Sequence, residues 1–419
     1  MMPKNNPDLD NLHFTPLSSL AEIVMGQSPD SKFVNDEQIG SPFLQGNGEF
    51  TTKYPKPIHW VTRPGKVAKN RDILISVRAP VGEINIADQD YCIGRGLAAI
   101  RFKNRIDLDY GWYAINYYKS QINRFAQGST FLAVNSNNIR SIEIPILEES
   151  AQRAIADILT TVDDAIEKTE ALIHKYQRIK QGLLQDLLTR GVDENGELRD
   201  SFEINPCLYN KSEFGFFPKH WDLIEIENKL HRVIDYRGKT PRKASDGIPL
   251  ITAKNVRAGY LDPEPREYIY SADYNSWMNR GIPNEGDVFF TTEAPLGNVA
   301  RVPGYQHAVG QRIITLQPKP DELESSFLFW LLLAPLSGQR IQQKSTGSTA
   351  VGIKSSVFIK IPFPFPPISE QKRICQILDQ AQCIVLEEES KLVKLKLLKR
   401  GLMQDLLTGK VRVNTLLER

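Results

Sequence analysis

The residue types that usually carry catalysis are present in this sequence but do not converge. His13, His59, His174, His220, His231 and His307 form no close pair and no His-Glu-x-x-His, the spacing that brings two imidazoles to one helical face for zinc. Cys92, Cys207, Cys375 and Cys383 include no Cys-x-x-Cys pair, which reads as reduced thiols in a cytoplasmic protein. Asn205–Tyr209 (NPCLY) imitates an Asn-Pro-Pro-Tyr methyltransferase motif, in which Asn and Pro hold an amino group and an aromatic stacks on the base. Here Cys207 takes the place of the second proline, and Leu208 displaces the aromatic by one. Gly347–Ser356 (GSTAVGIKSS) carries Ile353 where a phosphate loop needs lysine, and Gly238–Thr240 (GKT) has Val233 in place of the first glycine. No carboxylate–lysine nuclease cluster is found. The expectation is therefore no catalytic, cofactor-binding or metal-binding residue in this chain.

The acids are more informative where they are missing. The chain is nearly balanced, with 52 Lys and Arg against 50 Asp and Glu, so a nucleic-acid partner requires the cations to be segregated. Phe50–Arg71 has no acid but holds Lys53, Lys56, Arg63, Lys66, Lys69 and Arg71, with Tyr54 and Trp60 between them. Tyr110–Ile142 and Ser325–Ser369 are also acid-free, and Arg237–Lys243 (RGKTPRK) is densely cationic. Such stretches let phosphate oxygens approach without repulsion. The expected contacts are Lys53, Lys56, Arg63, Lys66, Arg78, Ser129 and Thr130 in the first half. In the second half they are Arg237, Lys239, Arg242, Lys243, Lys254, Arg312, Ser348 and Thr349. Lysines are assigned mainly to phosphates; arginines, amides and hydroxyls suit base edges.

These residues recur because the chain repeats itself. GLLQDLLT at Gly182–Thr189 returns as GLMQDLLT at Gly401–Thr408, 219 residues later. LISVRAPVGEI at Leu74–Ile84 is echoed by FFTTEAPLGNV at Phe289–Val299, Gly94 by Gly310, and QGST at Gln127–Thr130 by TGST at Thr346–Thr349. In each half, short β-branched and aromatic runs (Ile73–Val77, Ala98–Phe102, Ile142–Ile146) precede a long helical pattern. Trp112, Ile115, Tyr118 and Ile122 predict a helix over Tyr110–Ala126. From Ile155 to Leu183 apolar residues follow a 3-4 heptad spacing. At 1.5 Å per residue, such a helix spans roughly 65 Å and needs a partner. The 219-shifted segment, from Ile374 to Leu402, supplies one, with Glu388 and Lys391 at seam positions and Leu392 one place on. Helix–domain–helix order makes the two antiparallel. Gly182 and Gly401 lie within the helical pattern, and their recurrence favours close helix approach or a kink. The predicted fold class is α+β: two mixed α/β domains joined by two long antiparallel helices forming a coiled coil, in an internal pseudo-two-fold repeat. The boundaries read as a first domain 1–146, helix 147–190, linker 191–215, second domain 216–367, helix 368–409 and tail 410–419. Pro362–Gln371 is a proline-stiffened extended approach to the second helix. The N-terminal stretch has no apolar signal core, and the longest apolar run, Phe327–Leu333, is far short of the ~20 residues of a membrane helix; a cytoplasmic location is expected.

Together these motifs resemble the specificity subunit of Type I restriction–modification systems. The resemblance rests on YRGKTPRK at Tyr236–Lys243, IPLITAKNVRAGYLD at Ile248–Asp262, TTEAPLGNVA at Thr291–Ala300, QKSTGST at Gln343–Thr349, IPFPFPPISEQKRICQIL at Ile361–Leu378 and KRGLMQDLLTGK at Lys399–Lys410. Weaker versions stand in the first half. The resemblance implies two target-recognition domains, each reading one half of a bipartite double-stranded DNA site, with a spacer set by helix length. It further implies no catalysis or bound cofactor in this chain. Two methylation subunits would dock along the helices and bring S-adenosylmethionine, and a motor–nuclease restriction subunit would complete the complex. Two other classes stay open on the residues alone: a single-chain DNA methyltransferase with degenerate motifs, discriminated by S-adenosylmethionine binding, and a protein-binding coiled-coil scaffold, discriminated by absence of salt-dependent DNA binding.

Overall fold

The computed structural model describes residues 12–103, 105–122, 134–212, 215–236, 238, 240–347 and 351–413. Four helices organise it: α1 (Leu108–Tyr118), α2 (Glu149–Thr189), α3 (Ser325–Leu333) and α4 (Ile368–Leu407). The chain folds as two compact units, one made of Met1–Ala171 with Glu389–Arg419 and the other of Leu172–Glu388. Each unit therefore holds half of α2 and half of α4.

The first unit is built on an antiparallel sheet of β1 (Ala21–Met25), β2 (Ile73–Ser76), β3 (Ile84–Ile86) and β4 (Leu97–Phe102), in the order β1-β4-β2-β3. Successive side chains of a strand point to opposite faces, and β2 uses both. Ile73 and Ile75 pack with α1 residues such as Tyr110 and Ile115. Leu74 faces the other way, onto Leu44, Tyr91 and Ile93 of a five-stranded second sheet.

The second unit repeats this arrangement. Its sheet of β5 (Leu230–Asp235), β6 (Val288–Thr291), β7 (Val299–Arg301) and β8 (Ile313–Pro318) runs β5-β8-β6-β7. Val288 and Phe290 join the core around α3, while Phe289 joins a second core with Leu250 and Ile251. Both second sheets contain one parallel pair, Phe43 beside Cys92 and Leu250 beside Ala308.

The approach to each long helix is also shared. His13–Pro16 pairs antiparallel with Glu143–Ile146, and Asp222–Glu225 with Pro362–Phe365. A proline-containing edge suits a two-stranded ribbon, where a missing N–H breaks no central ladder. One turn into each helix sits a buried glutamine. Gln152 accepts from the Asp107 amide at 2.8 Å and donates to the Arg105 and Leu147 carbonyls. Gln371 accepts from the Glu324 amide at 2.9 Å and donates to the Glu322 and Pro366 carbonyls. Asp107 and Glu324 are the N-caps of α1 and α3, so each glutamine ties a long helix to the short helix of its own unit.

Inside each unit α2 and α4 pack antiparallel. Lys180 reaches Gln382 at 2.8 Å in the second unit; Lys396 pairs with Glu170 at 2.7 Å and Lys399 with Asp163 at 2.6 Å in the first. The seam differs from the heptad expectation. Ile155, Val162 and Thr169 are buried as expected, but then Ile173 and Leu184 take over, and Ile179 is 45% exposed. On α4 Ile374 is buried as expected, but the burial then passes to Leu378 and Val385, whereas Ile384 and Leu398 are exposed. A helix with 3.6 residues per turn drifts about 20° per heptad against a strict 3.5-residue repeat, and the charges at Glu388 and Lys391 leave no apolar gain in holding the original stripe.

Gly182 and Gly401 also correct the expectation of close helix approach: a Cβ at either would meet nothing within 4 Å. Gly182→Ala and Gly401→Ala are therefore each expected to stabilise the isolated chain by roughly 0.5–1 kcal/mol through helix propensity, read from equilibrium denaturation. A loss of stability would show that the open space is needed.

Within the expected linker, 191–215, the described residues make specific contacts. Tyr209–Ser212 pairs with Gly215–Pro218, and Arg199 reaches back to Glu370 on α4 at 2.5 Å. Glu370 is 2% exposed and also accepts from the Val192 amide and contacts His220 at 2.8 Å. Among the described residues no helix is long and apolar enough to cross a membrane.

Candidate nucleic-acid interface

In the second unit, four loops meet at the end of β6. Its Thr291 carbonyl and hydroxyl accept from the Gly297 and Asn298 amides, folding Glu293–Asn298 into a tight loop with a cis Ala294-Pro295 bond. Thr292 donates to the Arg312 carbonyl, and Ile353 donates to the Thr292 carbonyl, both at 2.9 Å. Bridges Glu293–Gly352 and Thr346–Gly352 hold the flanks of the Thr346–Thr349 motif against this loop. Gln311 donates to the Thr240 hydroxyl at 3.0 Å, adding the cationic loop.

Arg312 stands at the centre of that meeting. Its Nε lies 2.8 Å from Glu293 Oε1, and its side chain is 55% exposed. A guanidinium fixed along one edge by a carboxylate keeps other donors free for a second acceptor pair, such as the O6 and N7 of guanine. Arg242 lies over the Tyr270 ring at 4.5 Å, with the ring itself partly exposed. Lys243 is engaged by Glu267 at 2.8 Å, and Lys254 is exposed. Tyr236, buried and stacked on Trp277, donates to the Gly281 carbonyl; burial pushes its hydroxyl pKa up, so it stays a neutral donor. Arg237, Lys239, Ser348 and Thr349 lie outside the described residues.

The first unit builds the same junction from different side chains. Ser76 takes the role of Thr291: its hydroxyl accepts from the Glu83 amide and donates to the Pro80 carbonyl. Val77 donates to the Gly96 carbonyl, and Val134 donates to the Val77 carbonyl, both at 2.9 Å. Arg78 is exposed on this loop beside a cis Ala79-Pro80 bond. Glycine is required for the loops to close: a Cβ on Gly26 would sit 2.1 Å from the Gly94 carbonyl oxygen, and one on Gly94 2.9 Å from that of Gln45. The closure gathers exposed Gln27, Gln45 and Arg95, none of which sequence reasoning singled out; nor did it single out Thr240, Glu293 or Gln311. A signal existed, since Arg95 and Gln311 directly follow the matched glycines.

In the cationic stretch of the first unit, two of the expected contacts are engaged by groups remote in sequence. Lys53 pairs with Asp109 of α1 at 3.2 Å and lies 5.9 Å from the Trp112 ring centre. Arg63 covers Phe33 at 4.8 Å. Lys56 and Lys66 are exposed. Ser129 and Thr130 lie outside the described residues. Among the described residues no group of three or more His, Cys, Asp or Glu is placed to hold a metal ion.

The family profile described as "Type I restriction modification DNA specificity domain" matches residues 11–175 and again 222–396. The chain belongs to this DNA specificity family. As a specificity-family chain it is 42% identical over 169 residues to MjaX of Methanocaldococcus jannaschii, a provisionally named type I restriction enzyme specificity subunit, the match spanning 40% of each protein. Against the MjaVIII specificity subunit of the same organism it is 24% identical over 362 residues, 84% of this chain and 81% of the relative. The crystal structure of a Type I system S subunit from M. genitalium shares its fold, with TM-score 0.59 at 16% identity over 97% of this chain and 99% of that one. The two profile matches fall on the two repeats, so each junction belongs to its own copy of the specificity domain.

Proposed function

We propose that the chain reads a bipartite double-stranded DNA site, one half with each junction, and directs methylation and restriction subunits without catalysing either reaction. The observation that carries this is the recurrence of one loop junction in both specificity domains with different polar groups on it: Arg78, Gln27, Gln45 and Arg95 in one, Arg312, Arg242 and Gln311 in the other. A shared scaffold with changed donors is what two unlike half-sites require. Two methylation subunits, carrying S-adenosylmethionine, dock along the long helices, and a motor–nuclease subunit completes the complex. The exposed Leu386, Val393 and Leu397 of α4 support this, because water-facing aliphatic residues on a helix suit a protein partner.

The deciding experiment is adenine methylation of the host genome by long-read sequencing, with and without the gene and its partners. The expected result is loss of one motif made of two short half-sites around a fixed gap. Binding of S-adenosylmethionine by the isolated chain would instead favour a self-contained methyltransferase. Inserting one heptad in both helices is expected to abolish methylation at the original site or to widen its gap; unaltered recognition would refute the spacer role.

A further inference from the structure

A second cationic site lies in the first unit, at the opposite end of β2 from the Arg78 loop. A cleft of about 620 Å³ opens where β2 begins, where β4 ends and where α1 and α2 start. Arg71, Arg101, Lys103 and Arg105 line it, beside Asp107, which caps α1, and Glu149, which pairs with Arg153. Arg101 is held by Asp72 at 2.8 and 3.0 Å. Arg71, Lys103 and Arg105 pair with no carboxylate among the described residues.

The duplication separates what the fold needs here from what this copy adds. In both copies the turn before the strand is capped alike: the Lys69 amide donates to Asp72 at 2.7 Å, and the Asn284 amide to Asp287 at 2.7 Å. Arg71 donates to the Ala87 carbonyl just as Gly286 donates to Val302. Arg71 therefore occupies the glycine position of the turn, with φ of 72° against 83° for Gly286. A left-handed backbone costs a bulky residue roughly 1 kcal/mol or more, and the second copy shows that the turn closes without the side chain. Arg101 corresponds to Gln317, which bonds Asp287 in its place. Arg105, whose carbonyl accepts from Gln152, corresponds to Glu322, whose carbonyl accepts from Gln371. Three guanidinium positions of this cleft are thus glycine, amide and acid in the copy that shares the fold.

The structure assigns this cleft as a phosphate-binding site, taking a phosphate group carried either by a nucleic-acid backbone or by a small phosphate compound. Guanidinium groups that converge on a concave surface, without carboxylates to neutralise all of them, match the charge and the multiple acceptors of a phosphate.

The test uses the full chain and pyrophosphate as probe, by calorimetry in chloride of matched ionic strength, beside wild type, Arg71→Gly and Arg105→Glu. Both substitutions are the residues of the other copy, and Arg71→Gly is expected to unfold at the same or a higher temperature than wild type. Pyrophosphate affinity is expected to fall at least about tenfold in each variant. If affinity for a non-specific duplex falls with it and the salt dependence flattens, the phosphate is that of nucleic acid. If duplex binding is unchanged, it belongs to a small compound. Wild type that binds pyrophosphate no better than the two variants would overturn the assignment.

Discussion

Arg312→Ala is expected to weaken binding of the assembled complex to its target by roughly five- to 150-fold, the 1–3 kcal/mol of one bidentate base contact. Affinity for unrelated DNA should change far less, because a base reader carries sequence information that a phosphate contact lacks. Glu293→Gln provides the second arm. It leaves the guanidinium in place but replaces the carboxylate 2.8 Å away, so it should relax discrimination at one base-pair position more than it lowers total affinity. Competition binding against single-position variants of the target separates the two effects. Equal losses on target and unrelated DNA would reassign Arg312 to the phosphates.

Glu370→Ala is expected to destabilise the second unit by about 3 kcal/mol or more, the usual consequence of removing one partner of a buried ion pair. Three groups lose an acceptor together: Arg199, His220 and the Val192 amide. The packing position itself accepts alanine, because the residue matching Glu370 across the 219-residue repeat is Ala151, also buried. The cost should therefore come from the stranded partners. Arg199→Met combined with Glu370→Ala should recover part of the loss in equilibrium denaturation. A double variant as unstable as the sum of the single ones would show that the groups do not act together.

Much of this was legible because a duplication is its own alignment. Gly182–Thr189 against Gly401–Thr408 exposed the two long helices, and Ala79-Pro80 with Gly82 against Ala294-Pro295 with Gly297 marked the loop on which each junction is built. Periodicity identified the helices but not their seam. Which of Ile384 and Val385 is buried depends on accumulated helical drift and on what the partner helix presents, and both are tertiary quantities. Charge runs did not reveal the partners that remote segments bring to them. Lys53 and Arg63 belong to an acid-free stretch, yet Asp109 and Phe33, remote in sequence, engage them.

By itself the sequence determined the repeat, the long helices, the absence of familiar catalytic motifs and the family, since each is carried by residue identity at fixed spacing. The tertiary structure alone decided which loops meet: that Glu293 fixes Arg312, that Gln311 draws in Thr240, that Gly94 admits Gln45 and that Arg71 stands in a glycine's place. The physical reason is that side chains brought together from separate loops have no fixed spacing along the chain. Their contacts are selected by sheet register and backbone closure, which only the folded chain possesses.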